Sequence, residues 1–261
     1  MPGLHRDSLD QFYTRPDVAE VCVTVLKAFA PQDIPWIEPS AGGGAFLDWV
    51  PLAIGYDLAP TDPRILPADF LETDIPPGCV VFGNPPFGRQ SSLAKRFIRH
   101  AASRADWIGF ILPRSFVKPS MQTAFPPCFH LLYTLDVPEN AFTVEGRPHH
   151  VPCVFQVWGR KETPRPTEEA VTPRGFAFVK KADGYTLAFR RVGVYAGRCS
   201  LPADTVSIQS HYFVRLEDTT LRDSILTASL TYPFPTNTVG PRSLSKGEAT
   251  TFLHSMTNPT P

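Results

Sequence analysis

Short apolar runs alternate with amphipathic stretches along the first 160 or so residues of this 261-residue chain, and few architectures accommodate that alternation. IPWIE, AIGYDLA, CVVFG and WIGFILP have strand length and little internal polarity, as parallel strands buried on both faces do. PDVAEVCVTVLKAFA opens with proline at Pro16 and places Val18, Val21, Cys22, Val25 and Leu26 on one helical face. SSLAKRFIRHAASR repeats the pattern with Leu93, Phe97, Ile98 and Ala101. Strands separated by helices imply crossover units and a mostly parallel α/β sheet covered on both faces. HLLYTLDV and VPCVFQVWG have no clear helix between them and suit an antiparallel pair at one edge.

Composition narrows the class further. Proline supplies 29 of the 261 residues, which disfavours a helical bundle and favours short elements joined by stiff turns. With 43% hydrophobic and 19% charged residues, the chain can bury a core. Prolines, glycines and charges interrupt every candidate membrane span, and MPGLHRDSLDQFY lacks the apolar stretch of a secretory signal. Five cysteines (Cys22, Cys79, Cys128, Cys153, Cys199) are widely spaced with no CxxC pair, so neither a disulfide framework nor a zinc site is expected. A cytoplasmic protein follows, or a nucleoid or nuclear one, neither secreted nor membrane-bound.

Net charge is zero, but its distribution is uneven. Residues 1–84 carry 12 acidic and 4 basic residues, and the remainder 13 acidic and 21 basic. Such asymmetry points to a polyanionic partner for the later part. Five Arg or Lys and no acid lie between Arg89 and Arg104, among them Arg89 and Lys95. Lys180, Lys181, Arg190 and Arg191 form a second cluster. An ordinary solvated face explains either cluster alone; two of them beside a base-sized pocket favour phosphate contacts.

After Trp158 the pattern changes. The expected organisation is a main domain over residues 1–160, a linker over 161–174, a β-rich unit over 175–232 that serves target recognition, and a Pro/Thr/Ser-rich tail over 233–261. FAFVKKADGYTLAFRRV reads as a hairpin around Asp183-Gly184. SIQSHYFVRL reads as a strand, EDTTLRDSILTASL as a short helix, and Ser245 with Glu248 as a capping box that starts a last helix.

Three constellations carry chemistry. Glu38-Pro39-Ser40-Ala41-Gly42-Gly43-Gly44 follows a strand; glycines there let a ligand lie against the backbone. The spacing is not G-x-G-x-x-G, and no Walker lysine follows. Asp57 ends the next apolar run, where a carboxylate can accept from both hydroxyls of a ribose; a turn or cap aspartate is the plain alternative. Asp69-Phe70 offers an acceptor beside an aromatic edge, or else a surface turn. Gly83-Asn84-Pro85-Pro86-Phe87-Gly88 directly follows CVVF, and a strand cannot run on through two prolines. Neither proline donates an N–H, Asn84 brings an amide oxygen and Phe87 a ring face. Together they form a stiff pocket for a planar group bearing an NH2. His149-His150 has no third ligand at useful spacing, and no metal is expected.

At these residues the chain resembles the S-adenosylmethionine-dependent adenine amino-methyltransferases. The match runs through DQFYTRP, EPSAGGGAFL, YDLA, ADFLE and GNPPFG in the order of their gamma-type arrangement. The resemblance implies a class I methyltransferase (Rossmann-like) fold with a small C-terminal α+β addition. It implies that Asn84 and the Pro85 carbonyl, held by Pro86, accept hydrogen bonds from the adenine amine while Phe87 stacks on the ring. It further implies cofactor contacts from Phe12, Tyr13, Thr14, Glu38, Pro39, Ser40, Ala41, Gly42, Gly44, Asp57, Asp69 and Phe70, with Asn84 bordering the same site. Arg15 stands where the family commonly has proline. Phe155, in a late strand, is similar to a second aromatic that faces the target base.

The implied activity is site-specific methylation of the exocyclic amine of adenine in DNA by direct displacement. The other readings are methylation of adenine in RNA, methylation of a protein glutamine (a carboxamide is also a planar NH2 group), and an inactive module that grips nucleic acid. Whether a restriction or other protein partner exists is not legible in the residues.

Overall fold

The computed structural model describes residues 12–144, 146–166, 172–236 and 242–257. The first two residues of DQFYTRP, the middle of the expected linker and parts of the tail lie outside the described residues. The chain divides into two compact units, Met1–Pro166 and Thr167–Pro261.

The first unit is built on seven strands. These are β1 (Trp36–Glu38), β2 (Ile54–Asp57), β3 (Ile65–Pro67), β4 (Val80–Gly83), β5 (Trp107–Pro113), β6 (Phe129–Asp136) and β7 (Cys153–Arg160). Their order across the sheet is β3-β2-β1-β4-β5-β7-β6. The first five are parallel to their neighbours, whereas β7 runs antiparallel to both β5 and β6. The expected antiparallel pair is therefore present, with the later strand inserted and the earlier one at the edge. This is the strand order of the class I methyltransferase fold. The chain winds outward from β1 to β3 and then returns to β4, so strand order reverses between β1 and β4. In open α/β sheets ligands bind outside the carboxyl ends of the strands at such a reversal.

Among the described residues of this unit, two helices are longer than one turn. Helix α1 (Pro16–Lys27) has proline in its first turn, Asp17 near its N-terminus and Lys27 at its end, each where the backbone favours it. Its buried face is Val18, Ala19, Cys22, Val23 and Leu26, while Val21 is 50% exposed. The apolar stripe thus follows the 18-22-26 ridge and its neighbour, and Val21 falls off its edge. Helix α2 (Ser92–Arg104) buries Ala94, Phe97, Ile98, Ala101 and Ala102. The glycine turn after β1 leads only to a 3-10 turn, Leu47–Trp49, because Pro51 disfavours helical backbone at Val50. A separate ribbon of three short strands, Tyr13–Thr14, Phe142–Val144 and Arg147–His149, is antiparallel throughout.

Residues 161–166 are fastened to the first unit. The Arg165 guanidinium donates to the carbonyls of Gln122, Phe125, Pro126 and Phe129 and lies over the Trp158 ring. All five cysteines are free thiols, and burial pushes Cys22 and Cys153 up to about 12.

The second unit holds β8 (Phe176–Val179), β9 (Leu187–Arg190), β10 (Cys199–Ser200) and β11 (His211–Leu216), with helices α3 (Arg222–Ala228) and α4 (Lys246–Thr257). The order β8-β11-β9-β10 corrects the expected hairpin, since β8 and β9 both pair with β11 between them. Their connection contains a 3-10 turn, Lys181–Asp183, instead of the two-residue turn that closes a tight hairpin. The capping box forms: the Ser245 N–H donates to Glu248 Oε2 at 2.7 Å and the Glu248 N–H to Ser245 Oγ at 3.2 Å. Phe252 and Leu253 of α4 share a core with Phe176, Leu187 and Phe189.

Candidate functional site

Two loops leave the sheet side by side at the reversal point, one after β1 and one after β4. Glu38 is the last residue of β1 and only 2% exposed. Burial first, and then the nearby Asp57 and Asp48 carboxylates, hold its pKa well above the ordinary range. The turn that follows is fixed from β2. The Ala41 N–H donates to the Tyr56 carbonyl at 2.9 Å and the Gly42 N–H to Asp57 Oδ2 at 2.8 Å, while Asp57 Oδ1 accepts from the Ala59 N–H at 2.9 Å. Gly42 has φ +52°, and a Cβ there would lie 3.2 Å from the Tyr13 ring. Glycine therefore allows both the turn and the aromatic cover over it.

The β4 loop begins at Asn84. Ser40 Oγ donates to the Asn84 carbonyl at 3.0 Å and joins the two loops. The Asn84 side-chain amide donates to the Phe12 carbonyl at 3.0 Å and to Thr14 Oγ1 at 3.2 Å. Its oxygen, Oδ1, is buried without a hydrogen-bond partner, and so is Oε2 of Glu38. A buried acceptor is costly to leave unpaired, so each of these oxygens is open to a donor from a ligand or a water in the cavity.

These groups line one cavity of about 500 Å³, within the size range of small-molecule sites. Phe12, Tyr13, Thr14, Glu38, Pro39, Ser40, Ala41, Gly42, Asp57, Asp69, Phe70, Asn84 and Pro86 all border it. Asp69 Oδ1 accepts from the Leu71 N–H at 2.8 Å, so this carboxylate caps a 3-10 turn as well as facing the cavity. Phe70 is buried and stacks on Phe97 at 5.4 Å between ring centroids.

Several expected members stand elsewhere. Gly44 does not border the cavity, and a Cβ there would meet Arg64 and Asp62 instead. Pro85 is buried and outside the lining. Phe87 is 8% exposed and its ring lies 6.2 Å from that of Phe12, nearly parallel. Phe12 in turn stacks on His149 at 5.2 Å, so one face of Phe87 packs against a short aromatic stack. Phe155 is 1% exposed in the core, and its ring tip, with Leu26 of α1, packs over Gly109. That packing corrects its reading as a face for the target base.

Of the basic residues, Arg89 is exposed and Lys95 half-buried, and neither borders the cavity. Arg96 does, one position beyond Lys95; the charge pattern included it, but only helical phase on α2 distinguishes it. In the second unit Lys180 is exposed. Arg190 donates to the Val192 carbonyl and Arg191 to that of Gln209, so both guanidiniums hold loops. Among the described residues no group of three His, Cys, Asp or Glu is placed to hold a metal, and no helix is long and apolar enough to cross a membrane.

No protein-family model matches the sequence, and no curated protein matches it. Among solved structures, the chain is similar to a Pyrococcus horikoshii protein described as an RNA methyltransferase. That likeness has 15% identity over 61% of this chain and 92% of the other, with a TM-score of 0.46. It is also similar to the M protein of the type I restriction enzyme EcoKI, at 16% identity over 59% of this chain and 45% of that one, TM-score 0.43. A third likeness is to the M. jannaschii tRNA m1G37 methyltransferase, at 17% identity over 58% and 52% of the two chains, TM-score 0.40. At such values the likenesses add nothing to the strand order, which carries the fold.

Proposed function

We propose that the first unit is an S-adenosylmethionine-dependent methyltransferase that modifies the exocyclic amine of adenine in DNA. The observation that carries this reading is the buried, unpaired Oδ1 of Asn84, in one cavity with Glu38, the glycine turn, Asp57 and Asp69.

The acceptor set fits the cofactor. An orphaned carboxylate oxygen on Glu38 suits an ammonium, Asp57 suits ribose hydroxyls, and the free lone pairs of Asp69 suit an adenine amine. S-adenosylmethionine supplies, when bound, an electrophilic methyl on a sulfonium. Asn84 Oδ1 accepts an N–H of the target amine. The amine's lone pair is delocalised into the ring, so an acceptor on its hydrogen favours the pyramidal nucleophilic form and stabilises the positive charge developing on nitrogen. Ser40 holds the Asn84 backbone against the glycine turn, which keeps acceptor and cofactor site in register.

The basic residues of α2, of which Arg96 borders the cavity, support a nucleic-acid substrate. A second reading, methylation of a protein glutamine, draws on the buried ring of Phe87, because a carboxamide needs no stacking face. Incubation of the full chain with labelled S-adenosylmethionine and separate DNA, RNA and protein pools, followed by nucleoside mass spectrometry, tests the proposal. N6-methyladenine in DNA is the expected product; label confined to RNA or to protein overturns the substrate assignment.

A further inference from the structure

We infer that the segment Phe12–Thr14 decides which atom Asn84 presents to the cavity: the Phe12 carbonyl sets the orientation and Thr14 Oγ1 holds it, which makes Thr14 a positioning residue for the transfer. The inference rests on the proposed reaction for its kinetic consequence and on geometry for its substance. An asparagine amide has two nearly isosteric ends, one donor and one acceptor, and only its neighbours determine which points where. Here the Phe12 carbonyl, which can only accept, lies 3.0 Å from Nδ2, and Thr14 Oγ1 lies 3.2 Å from it. Turning the amide over would set its oxygen against the Phe12 carbonyl and strand the NH2 group in the cavity wall. The strand itself is held: Tyr13 pairs with Thr143, Thr14 with Phe142, and the Arg15 N–H donates to the Ala141 carbonyl at 2.9 Å. Thr14 is buried. A segment some 70 residues away in sequence therefore makes the site accept a donor group, an amine or carboxamide, and reject an oxo group of the same shape.

The test uses the full-length protein with Thr14→Val, which removes the acceptor at constant shape, and Thr14→Ser, which keeps it. The Asn84 side-chain NH2 signals, identified by their loss in Asn84→Asp, report positioning without any turnover. In wild type their exchange with solvent is expected to be slow, and Thr14→Val is expected to speed it by about tenfold or more, with Thr14→Ser close to wild type. In the transfer assay Thr14→Val is expected to lower kcat by about tenfold while the calorimetric Kd for S-adenosylmethionine stays within about threefold, and Thr14→Ser to restore kcat. Weakened cofactor binding with unchanged kcat, or equal damage from both variants, overturns the inference. If Thr14→Val does not fold, Asn84 amide exchange in wild type as fast as that of exposed asparagines overturns it. If wild type methylates nothing, the proposed reaction fails while the exchange measurements still test the positioning.

Discussion

The Cβ that Gly83 lacks would lie 3.1 Å from Cγ of Glu38, so the end of β4 and the floor of the cavity meet closely enough that a methyl group there would press on Glu38. Gly83 also has φ +128°, a backbone region that L-residues avoid. Gly83→Ala is therefore expected to destabilise the first unit by about 1–3 kcal/mol and to displace Glu38. Chemical denaturation and a cofactor titration measure both effects; an unchanged midpoint and Kd would refute the close approach.

Glu38 is expected to trade stability against binding. Its folded-state pKa lies well above the ordinary 4.5, so the folded state holds the proton more tightly than the unfolded one. Its contribution to stability is full at low pH and is lost as pH rises from about 4.5 through the raised folded value. Glu38→Gln removes that slope and is expected to raise Tm at pH 7 while weakening S-adenosylmethionine binding by about tenfold. Melting curves from pH 5 to 8 decide it: a parallel slope in both proteins rules out this role for Glu38.

Asp57 both anchors the Gly42 N–H and faces the cavity. Asp57→Ala is expected to weaken cofactor binding by about 10- to 100-fold, the worth of one or two hydrogen bonds to a charged group. Calorimetry reads it directly, and an affinity within twofold of wild type would remove Asp57 from the site.

Phe155 separates packing from recognition. Because its ring fills the core over Gly109, Phe155→Leu is expected to cost about 1–2 kcal/mol of stability and leave the KM for DNA unchanged. A raised KM at unchanged stability would restore its role as a stacking face.

Much of the sheet was legible because periodicity and prolines act locally: the double proline after CVVF ended β4, and Pro16 opened α1. The cavity's carboxylate acceptors were legible for the same reason, each sitting at a strand end or a turn. What sequence did not carry was pairing across distance. Nothing in FAFVKK or YTLAFRR specifies that β11 inserts between them, and β3, with Ile65 its only buried residue, has no pattern to detect. Sequence gives Phe87 and Phe155 alike as rings for stacking, yet Phe12 packs on one and the core encloses the other. The acceptors that turn Asn84 belong to a segment whose partner strand lies beyond residue 140.

Methyl transfer by Asn84→Ala, measured beside wild type with labelled S-adenosylmethionine and DNA, tests the proposed acceptor most directly. Loss of transfer on the order of 10²-fold or more is expected, with the cofactor Kd within about threefold of wild type. A fully active Asn84→Ala protein would contradict the account.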